Sequence, residues 1–259
     1  MFRRLSLLFL LVILAAGCQR PPANQITVGM ELAYPPFEMT DEQGKPAGVS
    51  VDLAQALGEY LHEPVKIENV RFDGLIPSLK TGKIDLVISS MTATPERGES
   101  IDFSDPYLTT GLSLLVGTKS DVQSIEDLDK PGKTVAVKKG TTGHLYAADH
   151  LKQAHVLVLD QESACTLEVV QGKADAFIYD QMSTLKNWEQ NRDTTRPLLK
   201  PFKSEQWAIG IRKGNDTLRS QVNAFLKEYR EHSGFEKLGD RWLKEQKDAF
   251  AKLGIPFVF

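Results

Sequence analysis

The sequence predicts an α/β protein built from two similar lobes, and two observations carry that reading. First, strand-like and helix-like segments alternate along the chain, which implies parallel sheets covered by helices. Second, Gly82-Lys83-Ile84-Asp85 runs into L-V-I-S-S, and ninety residues later Gly172-Lys173-Ala174-Asp175 runs into A-F-I-Y-D. In both places a helix is expected to end at Gly, which accepts the left-handed backbone found just past helix ends. A polar turn and a buried strand that stops at polar residues then follow. G-K-x-D is also a common turn, but two copies of one helix–turn–strand unit suggest two lobes of one design.

Taken in order, the strand candidates are Ile26–Met30, Val65–Val70, Asp85–Ser89, Leu112–Val116, Thr134–Lys138, His155–Leu159, Ala174–Tyr179 and Ala208–Ile211. Each is a short apolar or β-branched run bounded by turn residues. Helical spacing appears in Val51-Leu53-Leu57-Leu61, in Phe72-Leu75-Leu79 and around Leu167-Val170. It is clearest in Leu218-Val222-Phe225-Leu226, where Asp216 suits the N-cap.

Arg3 and Arg4 precede an unbroken apolar run from Leu7 to Ala16, with Cys18 after Gly17. Ten apolar residues are too few to span a bilayer, and the pattern reads as a signal peptide over residues 1–17. The Cys after L-A-A-G resembles the bacterial lipoprotein signal, so cleavage before Cys18, its lipidation and anchoring to a membrane are expected. An ordinary signal peptide cut near Ala16 or Gly17 is the alternative. Removing Arg3 and Arg4 leaves 29 basic against 34 acidic residues, a formal charge of −5. That mild acidity gives no support to a nucleic-acid partner. Cys165 is the only other cysteine, so no intramolecular disulfide is expected. Its setting, S-A-C-T-L-E-V-V, reads as the packed face of a helix.

The stretch Asp85–Asp105 is the most informative. Leu86, Val87 and Ile88 stop abruptly at Ser89, Ser90, Thr92 and Thr94, and Arg97 follows. Hydroxyls at a strand end with a guanidinium nearby suit a small carboxylate, which Arg can grip bidentately. A strand followed by a solvated turn is the plain alternative. In open α/β sheets, ligands bind beyond the carboxyl ends of strands. The repeat then places Ser89 and Ser90 on one wall of a cleft and Asp180 on the other. A ligand carrying both carboxylate and ammonium fits that arrangement, and an amino acid is the simplest.

At this point a family resemblance enters. V-G-M-E-L-A-Y-P-P-F-E, F-D-G-L-I-P-S-L-K-T-G-K-I-D, S-S-M-T-A-T-P-E-R with I-D-F-S-D-P-Y, A-V-K-K-G-T-T-G and A-D-A-F-I-Y-D stand in order between about Ile26 and Leu243. Together they resemble bacterial extracellular solute-binding proteins of family 3, the polar amino acid-binding proteins of ATP-binding-cassette (ABC) transporters. The resemblance implies a periplasmic-binding-protein-like fold, with two α/β lobes, a central ligand cleft and a hinge of two short strands. Lobe 1 would span residues 26–110 plus 207–259, and lobe 2 residues 114–203. It implies that Arg97 grips the α-carboxylate, helped by the backbone at Thr92 and by Thr142. Ser90, Thr92 and Asp180 would hold the α-ammonium, and Tyr34 and Phe72 would sandwich the ligand side chain. Glu31, Ser89 and Lys138 would read that side chain's end. Partners would be the amino acid and a transporter permease, for a monomer at the periplasmic or cell-surface side of the membrane, without a cofactor or metal.

Each role has a plainer counterpart. Tyr34 and Phe72 suit a core, Asp180 suits a helix N-cap, and Lys138-Lys139 suits an exposed pair. Glu31 stands where the family more often has Asp. A free Glu31 would favour a basic ligand, toward which the reading leans, whereas a Glu31–Lys138 pair would suit a polar neutral one such as glutamine. A sensory module for a membrane receptor is one alternative function, and a dehydratase-like enzyme on the same fold is another. Against enzymes stand five histidines without metal-ligand spacing, no G-x-S-x-G elbow and no phosphate loop, since Asp127 occupies the first Gly position. The residues after Asp180, namely Gln181, Met182 and Ser183, bring no further acid.

Overall fold

The apolar runs become the centres of two five-stranded sheets. The computed structural model describes residues 25–255; the leader, Cys18 and the last four residues lie outside the described residues. The first sheet has the order Val65–Asn69, Ile26–Met30, Leu86–Val87, Gly210–Arg212, Ile101–Phe103. The second has the order His155–Leu159, Thr134–Lys138, Ala176–Asp180, Leu108–Gly117, Thr195–Trp207. A small three-stranded sheet, Ala33–Tyr34, Glu38–Thr40 and Pro46–Ala47, flanks the first. Helices Val49–Leu61 and Phe72–Lys80 pack near the first sheet, and Thr142–His150 and Glu162–Val170 near the second.

The expected parallel sheets are a correction. Four strands of each sheet run in one direction and one opposes them: Gly210–Arg212 lies antiparallel to both its neighbours. Leu108–Gly117 is antiparallel to Ala176–Asp180 and to Thr195–Trp207. The cause is the return of the chain between lobes, which sequence periodicity does not encode. Leu108–Gly117 and Thr195–Trp207 pair from Leu108↔Trp207 to Gly117↔Thr195, with a register shift between Leu198 and Lys203. At ten and thirteen residues they are longer than the short connectors expected. Thr195–Trp207 was not legible as a strand, because Pro197 and Pro201 interrupt it. Gly111 lies under the shift, where a Cβ would come within 2.5 Å of Pro201 Cβ.

The repeated unit takes the same shape twice. Helix Phe72–Lys80 ends before Gly82 at φ +75°, and helix Glu162–Val170 before Gly172 at φ +71°. Cys165 is fully buried, and burial pushes its thiol up to about 12. In helix Asp216–Glu231 the cap is Asn215, whose side chain accepts from Leu218 N at 3.3 Å, rather than Asp216. Asp216 instead occupies the first turn, where its charge favours the helix dipole.

Gly48 feeds helix Val49–Leu61 with φ +116° and ψ 179°, and a Cβ there would meet Phe37 O at 2.4 Å. That region belongs to glycine, and a side chain there carries about 1–3 kcal/mol of strain. Gly48→Ala is therefore expected to lose at least that much stability in chemical denaturation; an unchanged midpoint would contradict it.

Candidate functional site

All ten residues expected at the ligand line one cavity between the two sheets: Glu31, Tyr34, Phe72, Ser89, Ser90, Thr92, Arg97, Lys138, Thr142 and Asp180. The same cavity is lined by Glu38, Tyr179, Glu205 and Trp207, which the sequence reading did not select.

Arg97 sits in the short helix Pro95–Gly98, whose N-cap Thr94 accepts from Arg97 N at 3.2 Å. Its guanidinium is buried and donates to Thr92 O at 2.7 Å and across the cleft to Gly140 O at 3.0 Å. Burial lowers its pKa to about 10, so it stays cationic at neutral pH. Thr142 opens helix Thr142–His150, capped by Thr141. A carboxylate near Arg97 therefore also meets the N-terminal end of a helix dipole.

On the first lobe the strand Leu86–Val87 gives way to Ser89 and Ser90. Ser90 adopts φ +48°, a left-handed backbone uncommon outside glycine. Beneath both serines lies Glu38, 1% exposed. Its carboxylate accepts from Ser50 Oγ at 2.6 Å, Ser90 Oγ at 3.1 Å and Ser89 Oγ at 3.4 Å. Burial raises its pKa to about 8 despite those hydroxyls and Lys138. Glu38 stands inside the motif Y-P-P-F-E; its flanking Phe37 was the signal for burial, and nothing local showed which serines it would meet.

On the second lobe Asp180 ends strand Ala176–Asp180 and caps the next helix, accepting from Ser183 N at 3.1 Å. It also accepts from Tyr34 OH of the first lobe at 2.8 Å. Burial pushes its pKa up to about 7, with Glu162 and Glu205 adding negative charge nearby. The N-cap and cavity-lining readings thus both hold in the geometry. Tyr34 stacks on Phe37 at 5.3 Å and meets Trp207 and Tyr179 edge-on. Phe72 faces two cations, Arg97 and Lys138, each 5.5 Å from its ring centre.

Lys138 is 3% exposed and not a surface lysine; it forms an ion pair with Glu31 across the cleft. The pair that the sequence left open is formed. At the rim, Arg71 meets Asp160 at 2.9 Å and Lys139 meets Asp73 at 3.1 Å. The three residues after Asp180 bring no acid, but Glu38 and Glu205 do so from elsewhere in the chain. Among the described residues no cluster of His, Cys, Asp and Glu is arranged to hold a metal. No helix among them is long and apolar enough to cross a membrane.

A two-lobed α/β fold with a polar cleft closed by two crossing strands is the architecture of a solute-binding protein. The chain belongs to the bacterial extracellular solute-binding proteins, family 3, matched over residues 26–245. It is 29% identical to the L-cystine-binding protein TcyJ of Escherichia coli K12 over 84% of this chain and 82% of that protein. It is 31% identical to the L-arginine-binding protein of Pseudomonas aeruginosa, over 84% of this chain and 87% of that one. Among solved structures it resembles an ancestral amino acid-binding protein described as a precursor of cyclohexadienyl dehydratase. That match has a TM-score of 0.77 and 36% identity, covering 85% of this chain and 96% of the other.

Proposed function

We propose that this chain binds a free polar L-amino acid outside the cytoplasm and delivers it to the permease of an ABC transporter. One observation carries the reading: buried Arg97 on one wall and buried Asp180 on the other face the same cavity. Arg97, the Thr92 backbone and Thr142 bind the α-carboxylate. Ser90, Thr92 and Asp180 bind the α-ammonium. Tyr34 and Phe72 enclose the ligand side chain, and Glu31, Ser89 and Lys138 meet its end. The role is binding and release rather than turnover. The mature chain acts as a monomer held to the membrane by lipid on Cys18, with lobe 1 over 26–110 and 207–259 and lobe 2 over 114–203.

The ligand closes the lobes because its charged ends touch both walls at once. It shifts the open–closed balance only by its differential affinity for the two states. Arg97 and Asp180 on the two walls are buried, so the lobes open to admit a ligand. With Glu31 and Lys138 paired, the far end of the cavity carries no net charge, which favours an uncharged polar side chain such as that of glutamine. The relatives named for cystine and for arginine frame the same choice between neutral and basic ligands.

Thermal-shift screening of the mature protein against the twenty amino acids tests the function. A ligand at one hundred times its Kd adds about 2.7 kcal/mol of stability, and stabilisation by none of them would remove the proposal. In Lys138→Met, Glu31 loses its partner, and the preference is expected to move toward arginine and lysine. An unchanged ranking would show that the pair does not select.

A further inference from the structure

We infer that Glu205, contributed by the crossing strand Thr195–Trp207, is a further acceptor for the ligand's ammonium beside Ser90, Thr92 and Asp180, and so distinguishes amino acids from acids that lack one. The inference rests on the amino acid reading above and deepens it. Glu205 is 4% exposed and lines the cavity. Its Oε2 accepts from Thr92 Oγ1 at 3.2 Å. A threonine hydroxyl has one proton to give and two lone pairs. With that proton committed to Glu205, Thr92 Oγ1 faces the cavity as an acceptor only, the polarity an ammonium requires.

The second carboxylate oxygen, Oε1, is fully buried and makes no hydrogen bond of good geometry, although the Thr142 hydroxyl lies beside the carboxylate. A buried, unpaired carboxylate oxygen is costly, and native structures rarely leave one without a purpose. Arg97 does not satisfy it: its guanidinium donates to Thr92 O and Gly140 O, and among the described residues no ion pair joins it to Glu205. Glu205 adds negative charge at Asp180, and Arg97 and Lys203 offset Glu205 only in part, since burial still raises its pKa. Two buried acids beside one cavity are stabilised by a cation between them, and the α-ammonium supplies it. The hinge strand places Glu205 next to both walls, with Thr92 of lobe 1 and Thr142 of lobe 2 beside it.

The experiment is calorimetry on the mature chain with L-glutamine and L-arginine, each paired with its (S)-2-hydroxy acid, in which a hydroxyl replaces the ammonium. The unsubstituted protein should prefer the amino acid of the pair it binds. In Glu205→Gln, affinity for that amino acid should fall about 10–100-fold, the size of one charge-assisted hydrogen bond, while affinity for the hydroxy acid stays within about threefold. Equal losses for both ligands would reduce Glu205 to a structural role, and intact discrimination would remove it from recognition; both overturn the inference. If thermal melting shows Glu205→Gln unfolded, Glu205→Asp decides, since it keeps the charge and withdraws it by one methylene. A loss confined to the amino acid supports the assignment, and a parallel loss overturns it. Should the unsubstituted protein bind neither, the pair is taken from whichever of the twenty amino acids stabilises it; stabilisation by none removes the parent reading, and binding without discrimination overturns this inference alone.

Discussion

Arg97→Ala is expected to weaken ligand binding by about 3–5 kcal/mol, a loss of two to nearly four decades in Kd. The guanidinium is buried and already spends two donors on Thr92 O and Gly140 O. It lines the cavity beside Thr92 and Thr142. Without it, a ligand carboxylate is taken out of water with no opposite charge, and the cross-cleft bond to Gly140 is lost as well. Arg97→Lys should recover only part of the loss, because an ammonium cannot reproduce the planar fork. Calorimetry showing an unchanged Kd in Arg97→Ala would place the carboxylate elsewhere.

The second large effect concerns pH and belongs to Glu38. In the unfolded chain its carboxyl ionises near 4.5, whereas in the folded protein burial holds the proton up to about pH 8. Between those values the folded state carries a proton that the unfolded state has released. Stability therefore falls as pH rises across that window, by roughly 1.4 kcal/mol per pH unit, and levels off above it. Asp180 has the same sign, with its folded value near 7. The ligand-free protein should lose melting temperature steadily from about pH 5 to about pH 8. Glu38→Gln keeps the three hydroxyl partners and removes the ionisation, so its profile should be flatter and should gain on the parent most near pH 8. Parallel profiles for the two proteins would show that Glu38 is already ionised in the fold.

How much of this was legible in the sequence depends on the range of the forces involved. The strands Ile26–Met30, Thr134–Lys138 and His155–Leu159 fall where the apolar runs predict them, because burial of consecutive apolar side chains is a local property. Gly82 and Gly172 are read correctly for a similar reason: a left-handed residue past a helix end needs only its own chain neighbours. The cap of helix Asp216–Glu231 was misplaced by one residue, since Asn215 and Asp216 are both competent caps and the turn geometry chooses between them. For the crossing strand Thr195–Trp207 only a short connector between 203 and 207 was expected, not a strand of thirteen residues. Its two prolines argue against a strand, and only its long partner Leu108–Gly117 makes it one.

The site divides along the same line. Arg97, Asp180, Ser89 and Ser90 were found because strand ends and polar punctuation mark them, and the family motifs added Glu31, Tyr34, Phe72, Thr92, Lys138 and Thr142. Glu38 and Glu205 were not found, although both are among the most buried acids of the cavity. An acid in a sequence carries no sign of its burial; that is set by residues far along the chain, such as Ser89 and Ser90 for Glu38 and Thr92 for Glu205.

The sequence by itself therefore determined the α/β alternation, the repeated helix–turn–strand unit and the two charged residues, Arg97 and Asp180, that line the cavity. Tertiary structure alone decided that Lys138 closes on Glu31, that the sheets are mixed, and that two further carboxyls enter the cleft. The reason is physical: local pattern records which side chains avoid water, whereas pairing and desolvation energies depend on distances that only the folded chain sets.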